Sequence, residues 1–180
     1  METVLHNLAR TTKSSALKEA VTKAREALEK ASKDASYAST ARERCLAACE
    51  LAFEEPQARG RQLAVEAVQT LLRDGRLRSA EGSESAADTL PVQLLHTLHA
   101  AAHWPSALQC NALTLVVELV AGGSCSSTDQ KMGLSALRDA VELCARLYGA
   151  SHDESVKISA RAAVRQCVDA WISDRLRAPI

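Results

Sequence analysis

Three histidines, His96, His99 and His103, stand three and then four residues apart. On one α-helix that spacing lines three imidazoles along a single side, and three imidazoles with an open fourth position can hold zinc. A single helix seldom encircles a metal, and no carboxylate or cysteine falls at a matching spacing inside the segment. A polar helix face near a turn is the competing reading. Cys45 and Cys49 also share a helix face, with Arg42 and Arg44 close by. A thiol nucleophile needs a base and an electropositive or helix-end setting; the apolar pattern around these two reads instead as burial in mid-helix. Glu54 and Glu55 end a helix and point to solvent. There is no G-x-S-x-G, P-loop, G-x-G-x-x-G or H-E-x-x-H signature, and Gly122-Gly123 is a loop pair rather than a phosphate cradle. The expectation is a chain without a catalytic site, cofactor or metal that acts by binding. A His-ligated metal protein is the alternative.

Composition narrows what such a chain binds. The 180 residues carry 22 basic and 22 acidic side chains and no net charge. A nucleic-acid binder needs a basic excess to neutralise phosphates, so that class loses support. No apolar run approaches the roughly 20 residues of a membrane span; the longest, 112–121, is interrupted by Glu118. The first residues lack the basic start and apolar stretch of a signal peptide. The six cysteines are therefore expected to be reduced, five of them within apolar helical patterns and Cys125 in a Gly-Ser loop. A cytoplasmic setting follows. The polar tail Arg177-Ala178-Pro179 resembles a domain boundary.

Hydrophobic residues make up 47% of the chain, but aromatics only 3%. The core must be built from Leu, Val and Ala, which calls for closely packed helices. Seven Gly and four Pro are too few for a sheet with frequent turns. Val4, Leu5 and Leu8 mark a first helix. Leu17, Val21, Ala24 and Leu28 mark a second, capped by Ser14 or Ser15. A third runs over 40–54, with Cys45, Leu46, Cys49, Leu51, Ala52 and Phe53 inside. Pro56 opens the fourth, which ends at Asp74-Gly75. A fifth reaches about His103, a sixth covers 106–121, and a seventh runs over 129–148 to a break at Gly149. The eighth, capped by Ser151 or Asp153, shows a broad apolar face from Val156 to Ile172. Trp104 is either an exposed anchor or a plug between helices five and six; Trp171 belongs to the core or an end contact. The pattern predicts an all-α fold, an armadillo/HEAT-like α-solenoid of antiparallel helix pairs, with a compact helical bundle as alternative. One domain over 1–180 is expected, with flexible loops near 79–88 and 122–128.

Three stretches resemble a known family. Ala41 to Leu77 (ARERCLAACELAFEEPQARGRQLAVEAVQTLLRDGRL) is similar to a helix pair near the N-terminus of large Golgi Arf guanine-nucleotide exchange factors of the brefeldin-A-inhibited type. Leu108 to Leu119 (LQCNALTLVVEL) resembles that family's central buried helix, and 140–172 its closing pair. The resemblance implies the dimerisation-and-cyclophilin-binding domain of such a factor, or of an exchange-inactive or Mon-two-like relative. That module is non-catalytic. It self-associates, contacts the neighbouring upstream domain, and in some members binds an Arf-like small GTPase that recruits the factor to trans-Golgi membranes, so membrane contact is indirect. The interaction face expected here lies on helices three and four, at Arg44, Gln69, Leu72, Arg73 and Arg76. Its competing reading is that Arg73 and Arg76 merely neutralise a helix C-terminus.

Overall fold

The computed structural model describes residues 1–74, 90–122 and 134–176. Among them the chain is all-helical, with no strand, and no helix is long and apolar enough to cross a membrane. The two segments read as loops near 79–88 and 122–128 lie outside the described residues, apart from Gly122. Two compact units result, Met1–Ser83 and Glu84–Ile180.

The first unit holds α1 (Glu2–Thr11), α2 (Ser15–Lys33), α3 (Ala38–Glu54) and α4 (Ala58–Arg73). Leu5 and Leu8 anchor α1, one turn apart on its inner side. The cap of α2 is Ser14, whose hydroxyl oxygen accepts from Leu17 N–H at 3.3 Å. The inner stripe of α2 is Leu17, Val21, Ala24 and Ala27; Leu28, expected inside, is half-buried because the stripe drifts by one position over three turns. Outside, Glu19–Lys23 at 2.6 Å and Glu29–Lys33 at 2.7 Å form exposed i,i+4 pairs, which contribute little to folding because solvent screens them.

A short 3-10 turn, Ala35–Tyr37, leads directly into α3, so α3 packs most extensively against α2 and then against α4. Small residues make this approach possible: Ala41, Ala48, Ala52, Ala64 and Ala67 are all buried between the helices. Arg42 is the largest fully buried side chain, 1% exposed. Leu51, expected inside, is 36% exposed on the outer side of α3. Before Pro56 the backbone of Glu55 is extended, at φ −59° and ψ 139°, as a residue preceding proline must be. The fourth helix starts at Ala58 rather than at Pro56, with Gln57 as its cap. The same bend ties down α1, because the Thr12 hydroxyl donates to Glu55 Oε1 at 3.0 Å while accepting from Ser14 N–H at 2.9 Å.

The second unit holds α5 (Leu90–Thr97), α6 (Ser106–Gly122), α7 (Leu134–Ala150) and α8 (Glu154–Leu176). The fifth helix does not continue to His103 as an α-helix: from Leu98 to His103 it tightens into a 3-10 helix that ends before Pro105. Two carbonyls of that segment, Ala101 and Ala102, accept from the Gln109 side-chain amide at 3.3 and 3.0 Å. Trp104 is buried and fills the corner, as packing rather than as an anchor. The α6 helix buries Leu108, Ala112, Leu113, Leu115, Val116, Leu119 and Val120 and packs chiefly on α8. Gly149 does not break α7, which closes one residue later at Ala150. Asp153 then caps α8: its Oδ1 accepts from Ser155 N–H at 2.9 Å and from the Ser155 hydroxyl at 2.6 Å.

Gln109 ties the corner to α6, because its amide donates to both corner carbonyls, of which Ala101 also accepts from Trp104 N–H at 3.1 Å. Gln109→Leu keeps the volume and removes the amide, so it should lower stability by about 1 kcal/mol, the net worth of a side-chain hydrogen bond, Ala101 keeping its bond from Trp104 N–H. Urea unfolding checks this: the midpoint falls while the slope stays unchanged.

Candidate interaction site

In the first unit, α4 returns so that its end lies beside the first half of α3. The sign of this is electrostatic: the carboxylate of Asp74, just after α4, acts on the thiol of Cys45. The same end gathers the start of α1 and the last turns of α2, where Met1, Glu2, Thr3, Leu28, Ala31, Ser32 and Asp74 line an open groove of about 300 Å³. Arg44 is exposed on α3, one residue before Cys45, and Arg73 is exposed at the end of α4. Gln69 and Leu72, on the last turns of α4, are half-buried. Arg76 lies outside the described residues. Of the four described positions, two are thus exposed and two half-buried, with Leu72 as the apolar member.

The rest of the outer side of α4 is polar. Arg59 Nη1 donates to Gln62 Oε1 at 3.1 Å, Gln62 Nε2 to Glu66 Oε1 at 3.5 Å, and the Thr70 hydroxyl to the Glu66 carbonyl at 2.8 Å. An apolar contact on this helix is therefore confined to its last turns, where Leu72 faces outward in part and the basic side chain of Arg73 sits beside the carbonyl end of the helix.

The groups that suggested chemistry stand elsewhere. Cys45 and Cys49 are buried, and burial pushes the Cys45 thiol from its ordinary 9.0 up to about 12 and the Cys49 thiol higher still. Both side chains are thiols, not thiolates, at neutral pH, and they pack as small apolar groups. Cys144, with Cys167 adjoining it, is raised to about 12, and Cys167 to about 11, in both cases mainly by burial. The three histidines do not converge, because the switch to 3-10 geometry after Thr97 changes the rotation per residue between His96 and His103. His96 and His99 meet edge-to-face with ring centroids 5.7 Å apart. Burial lowers the pKa of His99, helped by Arg146 and His96, and its Nδ1 is buried with no hydrogen-bond partner among the described residues. Among those residues no three His, Cys, Asp or Glu side chains come together in a way that could hold a metal ion.

Searches against family models, curated proteins and solved structures match nothing to this chain. Sequence reasoning missed the interior polar anchors Thr12, Arg42 and Gln109, all buried. Only Gln109 had a signal, an amide set among Leu108, Ala112 and Leu113 on the apolar side of α6.

The buried thiols set the alkaline limit of stability. A thiol raised from 9.0 towards 12 keeps its proton in the folded state while the unfolded chain loses it, so the unfolded state binds fewer protons between those pH values. Stability is complete below pH 9 and should fall as pH rises from about 9 to about 12, by up to about 1.4 kcal/mol per pH unit for each protected thiol. Urea midpoints measured across that range check the slope, and Cys45→Ala should make it shallower.

Proposed function

We propose that this chain is a non-catalytic interaction and regulatory module of a large Arf guanine-nucleotide exchange factor, resembling the dimerisation-and-cyclophilin-binding domain. On this reading its helices form antiparallel pairs of an armadillo/HEAT-like α-solenoid. It works by presenting helix faces to a GTP-loaded Arf-like small GTPase and to the neighbouring domain of the same factor. Recruitment to trans-Golgi membranes then runs through the GTPase, and the module makes no membrane contact of its own.

The observation that carries the reading is the end of the first unit. There Arg44 and Arg73 are exposed and Leu72 and Gln69 half-buried, so the proposed face would have Leu72 as its apolar member and the arginines as its cations. Arg is enriched at recognition surfaces because its guanidinium forks onto carboxylates and stacks on aromatic rings. The resemblance over 41–77 covers this same helix pair, and those over 108–119 and 140–172 fall on α6 and on the α7–α8 connection. An interaction face made from two helix ends requires no pocket, in keeping with a partner that is a protein surface.

Size-exclusion chromatography with light scattering tests the reading, using a panel of Arf and Arf-like proteins loaded with GTP or GDP. A complex that forms only with the GTP state is expected. Arg73→Glu combined with Leu72→Ala should weaken it by about 100-fold, as loss of a central anchor and a charge reversal together do. An unchanged affinity would retire this face, and absence of any nucleotide-dependent complex would retire the GTPase reading.

A further inference from the structure

His99 stands where the fifth helix tightens, at the second residue of the 3-10 segment Leu98–His103. Its ring meets that of His96 edge-to-face, with centroids 5.7 Å apart, and both α5 and the 3-10 segment pack on α7. The side chain is half-buried, yet its Nδ1 is fully enclosed and has no hydrogen-bond partner among the described residues. Gln93, earlier on α5, is in the same position: its Oε1 is enclosed without a donor. Two such atoms on one eight-residue helix and the six residues after it are a concentration that folded interiors avoid. What holds the segment down is apolar packing through Leu94, Leu95, Leu98 and Ala101, with the Gln109 amide fastening its far end.

The charges that act on His99 come from two elements. His96 stands on its own side. From α7 come Arg146, Glu142 and Asp139, of which Arg146 and Glu142 pair at 3.7 Å. The α6 helix also packs on this segment, but its one charged side chain, Glu118, is not among the groups acting on the ring. Burial is the largest influence, followed by Arg146 and His96, and all three oppose a proton; Glu142 and Asp139 favour one more weakly.

We propose that this corner is an acid-opened latch: neutral His99 lets Leu90–His103 close on α7, and protonation of its ring releases the segment and uncovers Leu94, Leu95 and Leu98. Both nitrogens of an imidazolium donate. In the closed corner Nδ1 meets no acceptor, so a proton there leaves a charged donor enclosed and unpaired beside Arg146 and a second imidazole. Outside the corner both nitrogens are hydrated and the ring protonates in the ordinary way. The open form therefore binds the proton more tightly. The closed form is fully favoured above the ordinary histidine value of 6.5 and loses ground as pH falls through it. The loss is up to about tenfold per pH unit, until the closed form itself takes up the proton. Opening stays local, because α6, α7 and α8 pack on one another without this segment. The latch lies in the second unit and does not depend on the GTPase reading.

The test follows the corner in the 180-residue chain by two probes. With Trp171→Phe as background, emission comes only from Trp104, which is buried at the corner. Hydrogen exchange, corrected for its intrinsic pH dependence, compares 90–104 with α8 in the same molecule. Between about pH 7.5 and about pH 5, the expected result is a red shift of Trp104 emission and at least about threefold faster exchange over 90–104, with α8 unchanged. His99→Phe should abolish the response, and His152→Gln, at an exposed histidine outside the corner, should leave it intact. Arg146→Gln should shrink it and Glu142→Gln enlarge it, because the first removes a charge that opposes the proton and the second one that favours it. Both of these sites are exposed, so their opposite effects decide the matter even where His99→Phe fails to fold. An absent response overturns the proposal, as does one that spreads equally to α8 or survives His99→Phe. Shifts in the same direction for Arg146→Gln and Glu142→Gln overturn it too.

Discussion

Close approach between helices is the constraint on which the first unit depends, and alanine sets it. The contacts among α2, α3 and α4 run through Ala24, Ala27, Ala41, Ala48, Ala52, Ala64 and Ala67, all buried, with Phe53 as the one buried aromatic. An alanine buries little area of its own, so the stabilisation comes from how near it lets the leucines and valines of neighbouring helices come. The interior has no slack for a larger side chain. Adding even two methylenes at Ala48 or Ala52 would force the helix axes apart and loosen Leu46, Leu63 and Leu71 together. The second unit uses the same device more sparingly and relies on the leucine-rich α6, with Ala140, Ala160 and Ala163 lining the helices around it.

A core of this kind holds helices side by side but does little to fix where each one starts and stops. That falls to a few polar side chains at the connections. The Thr12 hydroxyl joins the end of α1 to Glu55 at the bend between α3 and α4. Gln109 closes the 3-10 corner from the first turns of the next helix. Asp153 caps α8, and the Ser155 bonds, with a smaller influence of Ser106 at the start of α6, hold its carboxyl below the ordinary aspartate range. Each of these residues serves two elements at once, so a single loss exposes groups in both.

Helix existence was legible in the sequence because apolar residues recur at three- and four-residue steps through every segment. Faces and ends were less so. Leu28 and Ala27 are adjacent, and periodicity alone favours the leucine; packing favours the alanine because α3 lies too close for more. Leu51, Ile158 and Ile172 read as interior because they are apolar, whereas their helices present other stripes inward. Gly149 reads as a stop, yet it sits in open space where a helix interior tolerates it. The three histidines reads as one helical side only if the helix stays α, and Thr97, Pro105 and the alanines between them convert it. Of the positions named on helices three and four, Arg44 and Arg73 were legible as exposed, and the packing of α3 on α4 followed from the three-residue link between them. The polar outer side of α4, which confines the face to its last turns, was not legible, because it depends on which stripe α1 and α3 cover.

The exposed isoleucines of α8 bear on what a surface helix needs for itself. A solvent face is best filled by Ala, Glu, Lys or Arg, which lose little side-chain freedom in a helix, and β-branched residues are poorer there. Ile158 and Ile172 accept that disadvantage at two exposed positions two heptads apart, and Leu176 continues the line past them. Elsewhere on the outer surfaces, on α2 for example, the same kind of position holds Lys and Glu, some in i,i+4 ion pairs. The two helices obey the same propensities inside and differ outside. Leu51 on α3 and Leu134 on α7 are exposed apolar residues too, so helix propensity decides the outer positions of α2 more than those of the other helices.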